Sequence, residues 1–350
     1  MRILTGDFTG PDTVVSIDEQ DTPEVGPYEI LVQVKACSLD LHNEKAYNQL
    51  LAPSLKRCPL GHEVSGDIVK VGQKVEIYKE GTAVVGIIPF DSKVTGCADY
   101  CLLNQFDVIE KPSSVSYEAA AAAVGAGLAA YTAVNYLGHV TAGDTVLVVD
   151  GASPQGYLTV QAAQAWGAKV LSTYRTLSEK QFLESLKPPI AQLIELTQRT
   201  NILASAVMEE TGGIGVDCVI DKGVRMFTSE EDKDLMGERN LRNIPHKHDI
   251  ISCLGFSGKW ITAQPNLQLD PPDSQQLLLR GASLCFMFPP AWTLMRAQHG
   301  RYQHILRDLM DRLSNGDFKS NDLQLISLDK APGLVLQKDL DSTKSIVIVP

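Results

Sequence analysis

Long apolar runs are missing from this 350-residue chain. No stretch reaches the roughly 18 apolar residues that a membrane span requires, and the longest candidate, Ala119 to Ala133, is alanine- and glycine-rich and too short. The opening MRILTGDFTGPD lacks the apolar core of a secretory signal and the arginine-rich amphipathic pattern of a transit peptide. A cytoplasmic protein with no membrane association is therefore expected. Positive charge is also in deficit, with 31 Lys and Arg against 42 Asp and Glu and a formal net charge of -11. Such a surface repels phosphate backbones at long range, so nucleic acid is not expected as the main partner, while a local basic cleft for one dinucleotide stays compatible. The seven cysteines are scattered and odd in number, which points to reduced thiols rather than a disulfide framework. Cys97 and Cys101 are close in sequence, but no second pair follows at a spacing that builds a zinc knuckle. Internal repeats and low-complexity segments are lacking too.

What is there is an ordinary globular composition, 44% hydrophobic and 21% charged, in a chain long enough for two domains. Residues 145 to 175 carry the most information. Val146 to Val149 is short, β-branched and bounded by Asp150-Gly151, the pattern of a buried parallel strand. Tyr157 to Trp166 predicts a helix packed on a sheet, stopped by Gly167, and Lys169 to Thr173 predicts the next strand. The turn between, Gly151-Ala-Ser-Pro-Gln-Gly156, has the spacing of G-x-G-x-x-G with Ser153 at the middle position. In that motif the outer glycines make the tight turn and allow close helix–strand packing, and the middle one admits a pyrophosphate. Ser153 adds a β-carbon there, yet its hydroxyl is able to donate to phosphate; Pro154 removes one backbone donor at a helix start that tolerates proline. An α/β unit that holds no nucleotide is the alternative.

The first 115 residues differ from the middle. Strand patterns at Glu29 to Ala36, Val64 to Val71 and Val84 to Ile88, separated by glycine and proline, predict a small β-rich domain. From Tyr117 an alanine-rich helix, a helix at Ala130 to Leu137 and strand–helix alternation up to about residue 290 predict a parallel sheet covered on both faces. Further strands are expected at Leu193 to Leu196, Val216 to Asp221, Asp249 to Leu254 and Ala282 to Phe288. The charge-dense stretch Thr228 to Lys247 interrupts this rhythm and reads as a solvated insertion, with a lid or oligomer contact as the sharper idea; His246 and His248 within it read as surface residues. Tyr302 to Leu313 has the pattern of an amphipathic helix, and Ser345 to Val349 that of a returning strand.

Several motifs together resemble the medium-chain dehydrogenase/reductase superfamily, in particular its zinc-free quinone oxidoreductase branch. They are Gly61-His-Glu-Val-Ser-Gly66 with Val71-Gly72, Gly81-Thr with Val84-Val-Gly86, Gly96-Cys-Ala-Asp-Tyr100, Lys111-Pro112, Ala130-Tyr-Thr-Ala133 and the Gly143-Asp-Thr-Val-Leu-Val lead into the turn. The resemblance runs nearly end to end. It implies an α/β fold class in which a GroES-like β-barrel domain (residues 1–122, rejoined by a C-terminal segment 291–350) accompanies a Rossmann doubly wound parallel-sheet domain (123–290), with the active site in the cleft between them.

Zinc-dependent relatives place three ligands at positions that correspond here to Asp40, His62 and, approximately, Gly125, so only one is kept and no metal is expected. Without a Lewis acid, reduction relies on a nicotinamide hydride and on donors placed at the substrate oxygen. The resemblance then singles out His62 as a proton or hydrogen-bond donor, Asp40 as an orienting group and Tyr47 as a donor reaching from its loop; a purely structural His62 at the domain seam is an equal reading. For the cofactor it singles out Gly151, Ser153, Gly156, Arg175, Asp221 and Gly255. No carboxylate stands at Thr173-Tyr-Arg-Thr176 to bind a ribose 2′-hydroxyl, and Arg175 suits the 2′-phosphate of NADP. His248-Asp249 replaces the Gly-Gly turn expected before the nicotinamide strand. The expected function is NADPH-dependent hydride transfer to a quinone or related α,β-unsaturated carbonyl by a homodimer paired through Leu284 to Phe288. A pseudo-enzyme using the same scaffold for binding is the alternative from another class.

Overall fold

The computed structural model describes all residues except 9–12, 52–55, 93, 197–201, 228–243, 335, 337–340 and 342. The charged stretch expected as an insertion thus falls, from 228 to 243, outside the described residues. The chain forms two compact units, Met1–Leu128 with Pro289–Pro350, and Ala129–Phe288. The joints expected after 122 and 290 fall instead after 128 and 288.

The first unit is built on strands. Sheet one orders β2 (Val14–Glu19), β1 (Arg2–Asp7) and β4 (Arg57–Pro59). Sheet two orders β15 (Leu323–Ser327), β16 (Ser345–Val349), β3 (Glu29–Ser38), β5 (Glu63–Val71), β6 (Ala83–Ile87) and β8 (Val108–Glu110), with β7 (Tyr100–Asn104) also on β3. The alternation in Glu29–Ser38 explains the central place of β3: Ile30, Val32 and Val34 enter one core with Leu4, Ile68 and Leu103, while Ala36 turns to Ala121, Ala122 and Val347. The tail returns as expected, Val347 and Ile348 pairing antiparallel with Ser38 and Cys37.

The amphipathic helix expected from Tyr302 starts slightly earlier, at His299, and ends at Asn315, where Gly316 takes the left-handed conformation that stops a helix. Its buried face is Tyr302, Ile305, Leu306, Leu309 and Met310, the 3–4 spacing of one stripe. Tyr302 pins it: its hydroxyl donates to the Asp107 carbonyl at 2.9 Å and accepts from the Ile87 N–H at 3.0 Å.

The second unit holds a six-stranded, all-parallel sheet in the order β11 (Gln192–Glu195), β10 (Lys169–Tyr174), β9 (Thr145–Val148), β12 (Val216–Asp221), β13 (Leu254–Thr262) and β14 (Ser283–Phe286). From β9 the chain runs outward to β11, then returns to start again at β12 beside β9. Side-by-side strands whose onward connections run in opposite directions leave a crevice at their carboxyl ends, the place where doubly wound sheets bind nucleotides. Leu147, Leu171, Val219 and Trp260 fill the core under it.

Two expectations need correction. Asp249 to Leu254 is not a strand: Lys247–Cys253 is a helix, and the strand is the following segment Leu254–Thr262. Ile250, Ile251 and Leu254 form a short apolar run that fits a buried helix as well as a buried strand, and the deciding feature is His246, whose ring caps the helix by accepting from the His248 N–H at 3.2 Å. The helical run Tyr117–Leu137 is the second correction. At 21 residues it is long and apolar enough to cross a membrane by length and composition, with 72% of its apolar window buried inside the protein. Its last part, Thr132–Leu137, is a π-helix that lengthens the alanine-rich helix beyond the run read from sequence.

Asp107 gives this fold a pH dependence. Its Oδ2 accepts from the Asn104 N–H, while Oδ1 is buried without a partner, 3.6 Å from His299 Nε2. Burial, with help from Asp91 and against the Asn104 N–H and Arg296, pushes its carboxyl up to about 7. A carboxyl raised above its unfolded value contributes stability that is complete in acid and is lost as pH rises through the folded value. Asp107→Asn is expected to stabilise the protein by on the order of 1–4 kcal/mol above pH 7 and by little near pH 4, read as a higher Tm at pH 8 that converges with wild type in acid.

Candidate active site

In the first unit the candidates gather around one short helix, α1 (Leu41–Leu51). Asp40 is its cap: Oδ1 accepts from the His42 and Asn43 N–H groups at 3.0 and 3.2 Å, and Oδ2 from the Asn43 side chain at 3.0 Å. The carboxylate expected to orient a ligand is thus bonded to the first turn of the helix. Tyr47 lies on the same helix and not on a loop, edge-on to Phe90 at 5.0 Å. Burial first, then the Asp40 and Glu63 carboxylates, raise its hydroxyl above the ordinary tyrosine value. Tyr47 therefore keeps its proton at neutral pH and is a hydrogen-bond donor.

His62 is buried and held from three sides. Nδ1 is 2.9 Å from the Ile88 carbonyl, Nε2 is 3.4 Å from Glu44 Oε2, and the ring stacks on Phe90 at 3.7 Å. Both ring nitrogens and one ring face are thus engaged. Glu44, not singled out beforehand, is fixed in turn by the Gly61 N–H at 2.9 Å. Gly61 has φ +88, and a β-carbon there would sit 2.4 and 2.5 Å from the Cys37 and Cys97 sulfurs, so this position admits glycine alone. Glu63 lies against Gly125, where a β-carbon would be 1.9 Å from its Oε1.

Asp40, His62 and Glu63 thus each point to a separate task and do not converge. Among the described residues the group that does converge is His248, Asp270 and Asp273 in the second unit. A cation already sits there: Lys247 Nζ is 2.9 Å from both aspartates.

In the second unit the turn at the end of β9 is ordered from within. Ser153 caps helix α3 (Pro154–Ala165), its hydroxyl donating to the Asp150 carbonyl at 2.8 Å and accepting from the Gly156 N–H at 3.2 Å. The hydroxyl expected to reach phosphate is thus spent on the cap. The outer glycines keep their steric roles. A β-carbon on Gly156 would lie 2.1 Å from the Asp150 carbonyl oxygen, and one on Gly151 2.0 Å from Ser172 Oγ. Asp150 takes the left-handed conformation at φ 62, and its N–H donates to Thr173 Oγ1 at 2.8 Å, tying the ends of β9 and β10 together.

Arg175 stands at the carboxyl end of β10 and is engaged. Its Nη2 meets Asp150 Oδ1 at 2.7 Å and Glu179 Oε1 at 3.1 Å, and its N–H donates to Glu179 Oε2 at 2.6 Å. Burial, with Glu179 adding, raises the Asp150 carboxyl, while Lys222 and Arg175 work against that rise. Lys222 is exposed just past β12 and was missed, for lack of any motif around it; Glu179 was legible in Thr176-x-x-Glu179, a capping box that the structure forms.

Two remaining candidates are misplaced. Asp221 does end β12, but its carboxylate turns into the sheet, accepting from Trp260 Nε1 at 2.5 Å and Thr262 Oγ1 at 2.7 Å; burial, partly offset by those bonds, pushes it up to about 6. Gly255 lies at the amino end of β13, packed on Ile214 and Gly215, the opposite edge of the sheet from the crevice. The shift of that strand from 249–254 to 254–262 moves it there.

With this geometry in place, likeness to known proteins becomes informative. Residues 26–180 match the alcohol dehydrogenase GroES-like domain. Quinone oxidoreductase-like protein 1 of Mus musculus is 39% identical over 96% of this chain and 95% of its own length. The chain belongs to the quinone oxidoreductase-like family of medium-chain dehydrogenases/reductases. Solved structures share the fold over the full length of both chains: mycobacterial Rv1454c complexed with NADPH and the quinone oxidoreductase of Pseudomonas syringae pv. tomato DC3000 each align with a TM-score of 0.81 at 21% identity.

Family membership makes the turn the part most worth perturbing. Gly156→Ala drives a β-carbon into backbone and is expected to cost about 3 kcal/mol, read as a lowered unfolding midpoint in urea. Gly300→Ala, where a β-carbon meets nothing within 4 Å, is the control and stays within about 0.5 kcal/mol of wild type.

Proposed function

We propose that this protein is an NADPH-dependent oxidoreductase that reduces a quinone or related α,β-unsaturated carbonyl without zinc. The observation that carries it is the crevice at β9 and β12, where a glycine turn, a helix start, Arg175 and Lys222 meet at the carboxyl edge of the sheet. The residues fit a dinucleotide in part: Gly151 and Gly156 allow the tight turn, and Arg175 suits a 2′-phosphate, while Ser153 and Pro154 each withdraw one donor. When bound, the dinucleotide supplies the hydride. In the first unit, Tyr47 keeps a proton to donate to a substrate oxygen as charge develops, Asp40 holds the helix that carries it, and Phe90, itself stacked on His62, braces its ring. The reaction without zinc is supported by the separate commitments of Asp40, His62 and Glu63.

The test is to titrate NADPH against tryptophan fluorescence and then to follow NADPH absorbance with a quinone present. Tyr47→Phe is expected to lower kcat about a hundredfold with little change in NADPH affinity; an unchanged kcat removes Tyr47 from the mechanism. The second reading, a non-catalytic scaffold, is favoured by Ser153 and Arg175 both being bonded internally, and saturable binding without turnover on any quinone would support it.

We further propose a homodimer through β14, an edge strand of the sheet with Leu284 half-buried and Phe286 56% exposed. Unpaired backbone beside apolar side chains suits a second copy related by two-fold symmetry. Phe286→Lys is expected to shift the mass in light scattering from dimer to monomer.

A further inference from the structure

We propose that the Asp150 carboxylate is an internal occupant of the Arg175 anion site, exchanged for a ribose 2′-phosphate on binding, and that it sets how strongly the chain discriminates phosphorylated from unphosphorylated dinucleotide. This rests on the cofactor reading above. The two carboxylates on Arg175 are unlike. Glu179 is fixed: its side chain is 3% exposed, it is the third residue of helix α4 (Leu177–Glu184) in a capping box, and it grips both the backbone N–H and the guanidinium of Arg175. It positions the arginine. Asp150 has a side chain 22% exposed and meets the guanidinium through one oxygen. Its backbone is tied to Thr173 by the N–H, so the side chain can swing away without moving the strand end.

Charge favours exchange over addition. Asp150 and Glu179 balance Arg175 and the neighbouring Lys222, so the cluster is neutral as it stands and a phosphate dianion gains little from it. With Asp150 turned out to solvent, Arg175 and Lys222 face the incoming phosphate against Glu179 alone, and an arginine–phosphate hydrogen bond replaces an arginine–carboxylate one of similar strength. The cost of freeing Arg175 is charged only to the ligand that needs it. An unphosphorylated ribose leaves the Asp150–Arg175 pair intact.

The experiment measures adenosine 2′,5′-bisphosphate and adenosine 5′-monophosphate binding by calorimetry to wild type, Asp150→Asn and Glu179→Gln. Asparagine is among the residues most tolerant of the left-handed conformation at 150, and Asp150→Gly, which suits it as well, provides a second variant; thermal melts check that both fold. Asp150→Asn is expected to tighten the bisphosphate about tenfold, as the binding-competent fraction of Arg175 rises, and to leave the monophosphate within twofold. Glu179→Gln is expected to weaken the bisphosphate alone. If both nucleotides bind wild type and their affinity ratio does not rise in either Asp150 variant, the exchange is overturned while the cofactor site stands. If neither binds any variant and NADPH leaves tryptophan fluorescence unchanged, both fall together.

Discussion

The approach of helix α3 to the end of β9 governs the second unit. Gly156 lets the helix backbone come so near the Asp150 carbonyl that no side chain fits, and Gly151 does the same against Ser172. That closeness forces Asp150 into the left-handed region, where its N–H reaches Thr173 and its carboxylate reaches Arg175. Ser153 then spends its hydroxyl on closing the turn. A turn with the spacing of a dinucleotide-binding motif is here braced by its own side chains.

The first unit shows a similar economy. The Gly-His-Glu segment is engaged within its own unit: Gly61 is wedged against two thiols, His62 joins Ile88, Glu44 and Phe90, and Glu63 lies over Gly125. Tyr47, on the neighbouring helix, has its proton held by burial and by the Asp40 and Glu63 carboxylates. His62 and Tyr47 belong to one arrangement, because Phe90 packs on both rings.

The architecture was legible in the sequence because its signals are long and repeated: alternation in Glu29–Ser38, the buried run at Thr145–Val148, the stripe on the helix from His299 and the returning strand at Ser345–Val349. The site was legible in its glycines and less so in its polar residues. Spacing put Ser153 at the turn and Arg175 at a strand end, and Thr176-x-x-Glu179 signalled the capping box, but no pattern around Arg175 said that Asp150 would claim the arginine. Asp150 comes from the end of another strand, far from Arg175 in sequence. Gly255 was misassigned for a different reason. Ile250 and Ile251 carry no periodicity that separates helix from strand, so a cap at His246 decided the matter and displaced the strand.

The pairing of β16 with β3 has a consequence for biogenesis. Val347 and Ile348 complete the sheet beside Ser38 and Cys37, and Tyr302 locks onto Ile87 and Asp107, so the first unit is discontinuous along the chain. During synthesis Ala129–Phe288 emerges whole and is free to fold while the first unit still lacks β15, β16 and the helix His299–Asn315. The Cys37–Ser38 end of β3 then waits for its β16 partner until the whole second unit has been translated, leaving that short stretch of strand edge for chaperones to shield.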